Sequence, residues 1–431
     1  MAINPAQPVP HLTTALSGPL HLVERNILDH QPAIESWFRG QWRRTPAPFY
    51  ASVDLRNAGY KIAPVDTNLF PAGFNNLNPE FEPLCIQSLQ LAVERLGKPV
   101  DRIALVPESH TRNLFYLKNV AVLQSLLEQA GFTVRLGSLL SDLKEPMVVP
   151  LDDAQTLKFE PLGRDGDRVV VGDFVPDLVF LNNDLSGGIP AVLENITQLV
   201  RPALKLGWST RLKSVHFGFY QQVAREFAEL IGIDPWLIDP MFRNCGEIDF
   251  MKREGQSCLE KNINSLFEGL RGKYEQYGID CKPFAMVKAD AGTYGMGVMP
   301  IHSAEELMEL NRKQRTKMAT TKEGQKVTKV IIQEGVYTYE TLGDPPHVAE
   351  PVVYLIDHNV VGGFYRVHEA RSSSENLNAP GMRFEPLAFE ECCISPDRHL
   401  SPEAHPNRFY AYGVIARLGA LAAAREATSL S

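Results

Sequence analysis

The sequence predicts a chain of two characters: a parallel α/β layer in its first half and α+β structure beyond Pro240. Three observations carry this expectation. From Pro79 onward short apolar runs alternate with helical periods, the pattern of strands joined by crossover helices. Beyond Pro240 that alternation yields to a glycine-rich loop and to neighbouring strands joined through Asp357, His358 and Asn359, a turn-forming hairpin tip. The 431 residues are also too many for one ordinary core. The expected divisions are an N-terminal arm or helix over 1–48, an α/β domain over 49–239 and an α+β domain over 240–431.

In chain order, a weak helical period over 20–38 packs an arm on the body, and 49–55 reads as a strand. Residues 56–77 form a dense irregular stretch marked by glycine, proline and asparagine, which either caps a site or crosses the surface. Helices are expected at 80–96 and 113–130, with strands at 102–107, 133–136 and 177–181. Further helices are expected at 190–200 and 214–231. Helix 258–277 then leads to strand 284–288. A helix over 303–311 starts at Ser303 with Glu306 three residues on, a capping box. Residues 312–329 are charged and read as a surface loop, before strands at 329–333, 351–356 and 360–367. An Ala-rich helix over 407–428 closes the chain.

Composition narrows the function classes. The chain is 44% apolar and 22% charged, as globular proteins are. A net charge of −8 and no basic run interleaved with aromatics argue against a nucleic-acid partner. No apolar run reaches the ~18 residues of a membrane span, and residues 1–8 lack the pattern of a secretory signal. The six cysteines form no Cys-x-x-Cys pair and read as thiols of a reducing cytoplasm. Adjacent Cys392 and Cys393 are either redox-active or ordinary strand or loop residues. No histidine spacing suits zinc.

The most informative segment is 286–298. An apolar strand carries Lys288 at its inner end, opens into a loop with Gly292, Gly295 and Gly297, and closes on a second apolar run. Glycines bring backbone N–H groups close to an anion, and the lysine adds a point charge suited to phosphate. No Gly-Lys-Ser/Thr comes after it, so this is not a Walker loop. Lys288 precedes the glycines and no helix opens from them, so it is not a dinucleotide fingerprint. Polyphosphate binding is one reading; an unliganded hairpin tip is the other.

Three features now stand in order: the Lys288 strand and loop, a strand ending at 330–336, and the hairpin containing 362–367. This order resembles the ATP-grasp arrangement. The resemblance implies ATP held between two α+β lobes within 240–431, preceded by a substrate domain over 49–239. It implies that Lys288, Gly292, Gly295 and Gly297 cover the phosphates. Backbone groups around Gln333, Glu334 and Val336 would meet the adenine edge, and Glu340, with Glu350 competing, would hold the ribose. Residues 366–381 resemble the arginine and Asn-Leu-x-x-x-Gly loop of bacterial glutathione synthetases. Across nearly its whole length, and most specifically over 53–77 and 287–298, the chain resembles the ATP-grasp-like glutamate–cysteine ligases of proteobacteria. It departs from the wider pattern in having no Glu-x-Asn on the last candidate strand, 384–391.

The resemblance implies an ATP- and Mg²⁺-dependent ligase, with Mn²⁺ an alternative ion. Glutamate and cysteine are the implied small-molecule substrates, and a homo-oligomer is compatible. The γ-carboxylate of glutamate would be phosphorylated and then attacked by the amine of cysteine. Lys288 would neutralise phosphate, and Arg366 would stabilise the acyl phosphate and the oxyanion. Arg56, Asp66, Asn68 and Arg371 would touch the amino-acid substrate, and Asn376 and Asn378 phosphate or metal. Each has a plain alternative: a strand-end lysine, an Arg366 paired with Glu350 or Glu369, hydrogen-bonded turns for Arg56, Asp66 and Asn68, Asx residues shaping a loop, and a solvated Arg371. Another carboxylate–amine ligase such as glutathione synthetase, or a nucleotide-binding regulator without catalysis, would share much of this machinery.

Overall fold

The computed structural model describes residues 19–109, 113–152, 155–291, 297–319, 327–387, 396–402 and 404–430. The N-terminal arm is a pair of helices, α1 (Pro19–Asp29) and α2 (Gln31–Arg44). Leu20, Val23, Ile27, Ile34 and Phe38 recur at helical spacing and are buried in the main core. Next comes a hairpin, β1 (Tyr50–Asn57) with β2 (Ile62–Asn68). Residues 56–77 therefore contain a strand where irregular chain is expected. Pro64 and a register shift between Asp54 and Leu55 break the alternation that would have marked it.

The α/β half is as anticipated in kind. Helices α3 (Glu82–Glu94) and α4 (Leu114–Gln129) alternate with β3 (Arg102–Pro107) and β4 (Thr133–Ser138). Then come β5 (Met147–Pro150), β6 (Thr156–Asp165), β7 (Arg168–Val171), β8 (Leu178–Asn182) and β9 (Leu199–Arg201). The sheet runs β5-β6-β4-β3-β8-β9 with β7 on β6, and its β6, β4, β3, β8 and β9 are parallel. Residues 190–200 are not a helix. A single short turn at Ala191–Leu193 stops before Asn195, which sits at φ 53°, and the chain then joins the sheet as β9.

Helix α5 (Lys213–Ile231) leads to β10 (Phe242–Cys245) and α6 (Gln256–Tyr277). Strands β11 (Ala285–Ala289) and β12 (Val298–Ile301) precede α7 (Ala304–Met308), whose Ser303 Oγ accepts from Glu306 N as the capping box requires. The charged segment expected as a loop begins with a helix, α8 (Arg312–Ala319). Asn311 and Gln314 cap it reciprocally, N–H to side-chain oxygen at 2.9 Å each way. With β13 (Val330–Glu334) these strands form an antiparallel sheet, β10-β13-β11-β12, covered by α6 and α7.

The remaining strands are β14 (Thr341–Leu342), β15 (His347–Ile356), β16 (Asn359–His368) and β17 (Met382–Pro386). They extend the N-terminal hairpin into a six-stranded antiparallel sheet, β17-β16-β15-β1-β2, with β14 on β15. That sheet takes strands from both sides of the boundary expected at 239/240. Helix α9 (His405–Ser429) lies against it, buried along most of its length. Close approach explains the small residues: a Cβ on Gly419 would stand 3.2 Å from Thr67 Oγ1 and 3.3 Å from Val53. Among the described residues no helix is long and apolar enough to cross a membrane.

Candidate active site

Strand periodicity builds the site. On β11, Ala285, Val287 and Ala289 face the α6 core, so the alternate Met286 and Lys288 face the other way. On the six-stranded sheet, Val53, Leu55, Ala349, Val353, Tyr365 and Val367 face α9. The opposite rows start apolar at Val352 and Phe364 and end charged at Glu350 and Arg366, with Asp54 and Arg56 beside them on β1. The two sets of side chains meet across a cleft.

Its floor is an ion array that the sheet register dictates. Glu350 and Arg366 are cross-strand partners, as are Asp54 and Asp66. Arg366 Nη1 donates to Asp54 Oδ2 (2.8 Å) and Glu350 Oε1 (2.6 Å), while Arg56 Nε donates to Glu350 Oε2 (2.9 Å). Arg56 also ties the cleft wall together, donating to the carbonyls of Val336 (3.1 Å) and Glu375 (2.5 Å). Burial pushes the Glu350 carboxyl up, but Arg56 and Arg366 overcome this and hold it below the usual range. Asp54 goes the other way. Burial raises its carboxyl, Arg366 opposes this, and the neighbouring Glu350 and Asp66 charges add to the rise.

Two lysines enter from the opposite side. Lys288 Nζ donates to Val65 O (2.9 Å) and Gln333 Oε1 (2.6 Å). Burial brings its ammonium down to about 8, against the pull of Asp66. Lys213 Nζ bonds Asp66 Oδ1 at 3.1 Å and lies 3.9 Å from the centre of the Trp208 ring. Despite burial, Lys213 and Lys288 hold Asp66 at about 2. The start of α5 is fixed to the Lys288 strand by Asp290, whose carboxylate accepts from Ser214 N and Oγ at 2.7 Å each and whose carbonyl accepts from Lys213 N at 2.8 Å. Sequence reasoning misses Lys213 and Asp54. For Lys213 the only local signal is a cation at the start of a helix.

Of the residues expected at the site, Arg56, Asp66, Lys288, Gln333, Glu334, Val336, Arg366, Asn376 and Asn378 line this one cleft. Gly297 stands at φ 63° and its carbonyl accepts from Ala289 N, closing the loop base. Gly292, Gly295, Cys392 and Cys393 lie outside the described residues. Glu334 turns its carboxylate to Lys61 Nζ (3.0 Å), Trp236 and Met241 N, pinning β13 to the turn of the N-terminal hairpin.

Three of the expected residues do not line this cleft. Glu340 is fully buried facing α9, bonded to Tyr412 and Asn57, and burial lifts its carboxyl to about 7. It does not line the cleft; Glu350, its competitor, does. Asn68 closes a local turn by accepting from Phe70 N at 2.9 Å. Arg371 is a surface arginine paired with Glu375 at 2.7 Å.

The donor set suits a nucleotide. Four cations converge from β1, β11, β16 and α5, and two buried donors in the lining, Gln333 Nε2 and Arg366 Nε, have no hydrogen-bond partner among the described residues. For a divalent ion, no group of three or more His, Cys, Asp or Glu residues gathers among the described residues. Magnesium on a nucleotide needs only one or two carboxylates, the phosphates supplying the rest. The cross-strand pair Asp54 and Asp66 meets that requirement.

Four cations in one cleft can offset phosphate charge and meet a carboxylate, the chemistry required of a ligase, an enzyme joining a carboxylate to an amine. The glutamate–cysteine ligase family model matches residues 24–427, and the chain belongs to that family. It is 55% identical to a solved structure from Methylobacillus flagellatus KT described as a candidate gamma-glutamylcysteine synthetase. The two superpose with a TM-score of 0.92 over 99% of this chain and 100% of that one. D-alanyl-alanine synthetase A from Vibrio cholerae O1 biovar eltor str. N16961 is far more distant. Its identity is 12% and its TM-score 0.34 over 74% of this chain and 81% of that one, too low to bear on the fold. No curated protein sequence matches the chain.

Proposed function

We propose that this cleft joins the γ-carboxylate of glutamate to the amine of cysteine by way of an acyl phosphate, with ATP held in an ATP-grasp-like manner between the four-stranded and six-stranded sheets. The observation that carries this is the convergence of Lys288, Lys213 and Arg366, from three separate elements, in a chain of the glutamate–cysteine ligase family. Bound ATP supplies the phosphoryl group that turns a carboxylate oxygen into a leaving group. Lys288 and Lys213 would offset the charge of the phosphates. Arg366, already clamped between two carboxylates, is oriented in advance to meet the γ-carboxylate and then the tetrahedral oxyanion.

Magnesium, or manganese, would sit at Asp54 and Asp66, with Asn376 and Asn378 at its edge; when bound it shields the phosphate charge. Each carboxylate is already paired with a cation of the protein, Asp54 with Arg366 and Asp66 with Lys213, so the metal would share them. Gln333 bridges Lys288 and the nucleotide side of the cleft, and Arg56 orders the 373–376 wall. The reaction balances as glutamate, cysteine and ATP giving γ-glutamylcysteine, ADP and phosphate. Glutamate labelled with ¹⁸O in its γ-carboxylate tests the route. One labelled oxygen per turnover should appear in the phosphate, and unlabelled phosphate would rule out an acyl phosphate.

A further inference from the structure

A pair of cysteines lies on the α6 side of the four-stranded sheet. Cys245, on the edge strand β10, is 3% exposed; Cys258, in the first turn of α6, is exposed. Their sulfurs are only 2.8 Å apart. A disulfide bond is about 2.05 Å, so less than ~1 Å of closure separates the pair from one. Asn262, one turn along α6, donates its Nδ2 to Cys258 Sγ at 3.3 Å and reaches Cys245 Sγ at 4.0 Å, while bonding Cys258 O at 2.9 Å.

We propose that Cys245 and Cys258 are a reversible thiol–disulfide modification site that reacts with small-molecule disulfides, Cys258 as the attacking sulfur and Cys245 as the resolving one. The exposures set this order. A reagent reaches Cys258 first, and its thiolate attacks one sulfur of the small disulfide, releasing one small thiolate and leaving a mixed disulfide. Cys245 then attacks Cys258 Sγ, losing its proton to solvent and expelling the second small thiolate. The two protein thiols are oxidised by two electrons and the small disulfide is reduced to two thiols. Burial, reinforced by Cys258, pushes the Cys245 thiol up to about 12, which makes it the slower nucleophile of the two. The link ties α6 to the edge of the sheet that carries Lys288 and Gln333, with Cys245 paired to Val330 at the far end of β13.

The test uses the full-length reduced protein, desalted and incubated with glutathione disulfide, then alkylated and mapped by mass spectrometry. The expected result is loss of two alkylatable thiols per chain, a cross-linked 245–258 peptide pair, and full reversal by dithiothreitol. Cys245→Ser should stop at glutathione on Cys258. Cys258→Ser, at an exposed position outside the cleft, should fold and turn over normally and leave Cys245 alkylatable. Both thiols remaining free, or glutathione persisting on Cys258 of the unsubstituted protein, would overturn the proposal.

Discussion

In the proposed reaction, Lys288 is the residue on which nucleotide binding depends. Lys288→Ala should leave the fold intact and weaken ATP binding or turnover by ~10²-fold or more, read by calorimetry and steady-state kinetics. Wild-type kinetics in the folded variant would remove it from the site. The pH dependence has a definite sign. The ammonium titrates at about 8, and it is the charged form that attracts phosphate, so ATP affinity should fall as pH rises through about 8. Bound phosphate will shift that midpoint upward in the complex, and Lys288→Ala should abolish the break. Arg366→Lys keeps a charge between Asp54 and Glu350 but loses the planar fork, so turnover should fall ~10²-fold with little change in ATP affinity. Lys288 and Arg366 are legible in the sequence because each sits in a local pattern, a strand running into glycines and a strand ending in an arginine. Lys213 is not, because the partner that makes it a site residue, Asp66, lies 147 residues away. Glu340, chosen by a spacing rule that cannot tell which face of the sheet a residue meets, lies on the α9 face and outside the cleft.

At the scale of elements, the junction between β13 and the strand before the glycine loop leaves no spare room. A Cβ on Gly335 would collide with the Phe284 ring, and Gly335 N donates to Phe284 O at 2.8 Å. Gly335→Ala should therefore cost about 1–3 kcal/mol by overpacking and displace Gln333 and Glu334, with a lower denaturation midpoint and weaker ATP binding together. An unchanged midpoint would show that Phe284 can move aside. Helices α4, α5, α6 and α9 and the 357–359 hairpin are readable from period and turn chemistry alone. The start of α8 carries a capping signal at Asn311 and Gln314, outweighed by its charge density. Strand β2 carries no clean signal, since Pro64 and the register shift interrupt it just where it shapes the site.

For the whole molecule, the decisive contacts are the least local ones. Strand β1 pairs with β15 across about 300 residues of sequence, and α9 seals the sheet they form, so the first and last elements belong to one core. No local period announces such a closure. Glu426 on α9 anchors it, bonded to Arg211 at 3.0 Å and to His216 at 3.2 Å. Burial raises its carboxyl but Arg211 pulls it down to about 2, below the ordinary 4.5. The stability it contributes is thus present above about pH 4.5 and lost as pH falls towards 2. Glu426→Gln leaves Arg211 buried without its charge partner and should cost about 3–5 kcal/mol at neutral pH, with a flatter acid limb in urea unfolding.

The most direct test of the proposed chemistry is ADP release by the purified protein with Mg²⁺, ATP, glutamate and cysteine, each omitted in turn. Full turnover is expected only when all four are present, with γ-glutamylcysteine formed in step with ADP. Turnover that persists without cysteine or without glutamate, or that requires a different amine, would contradict it.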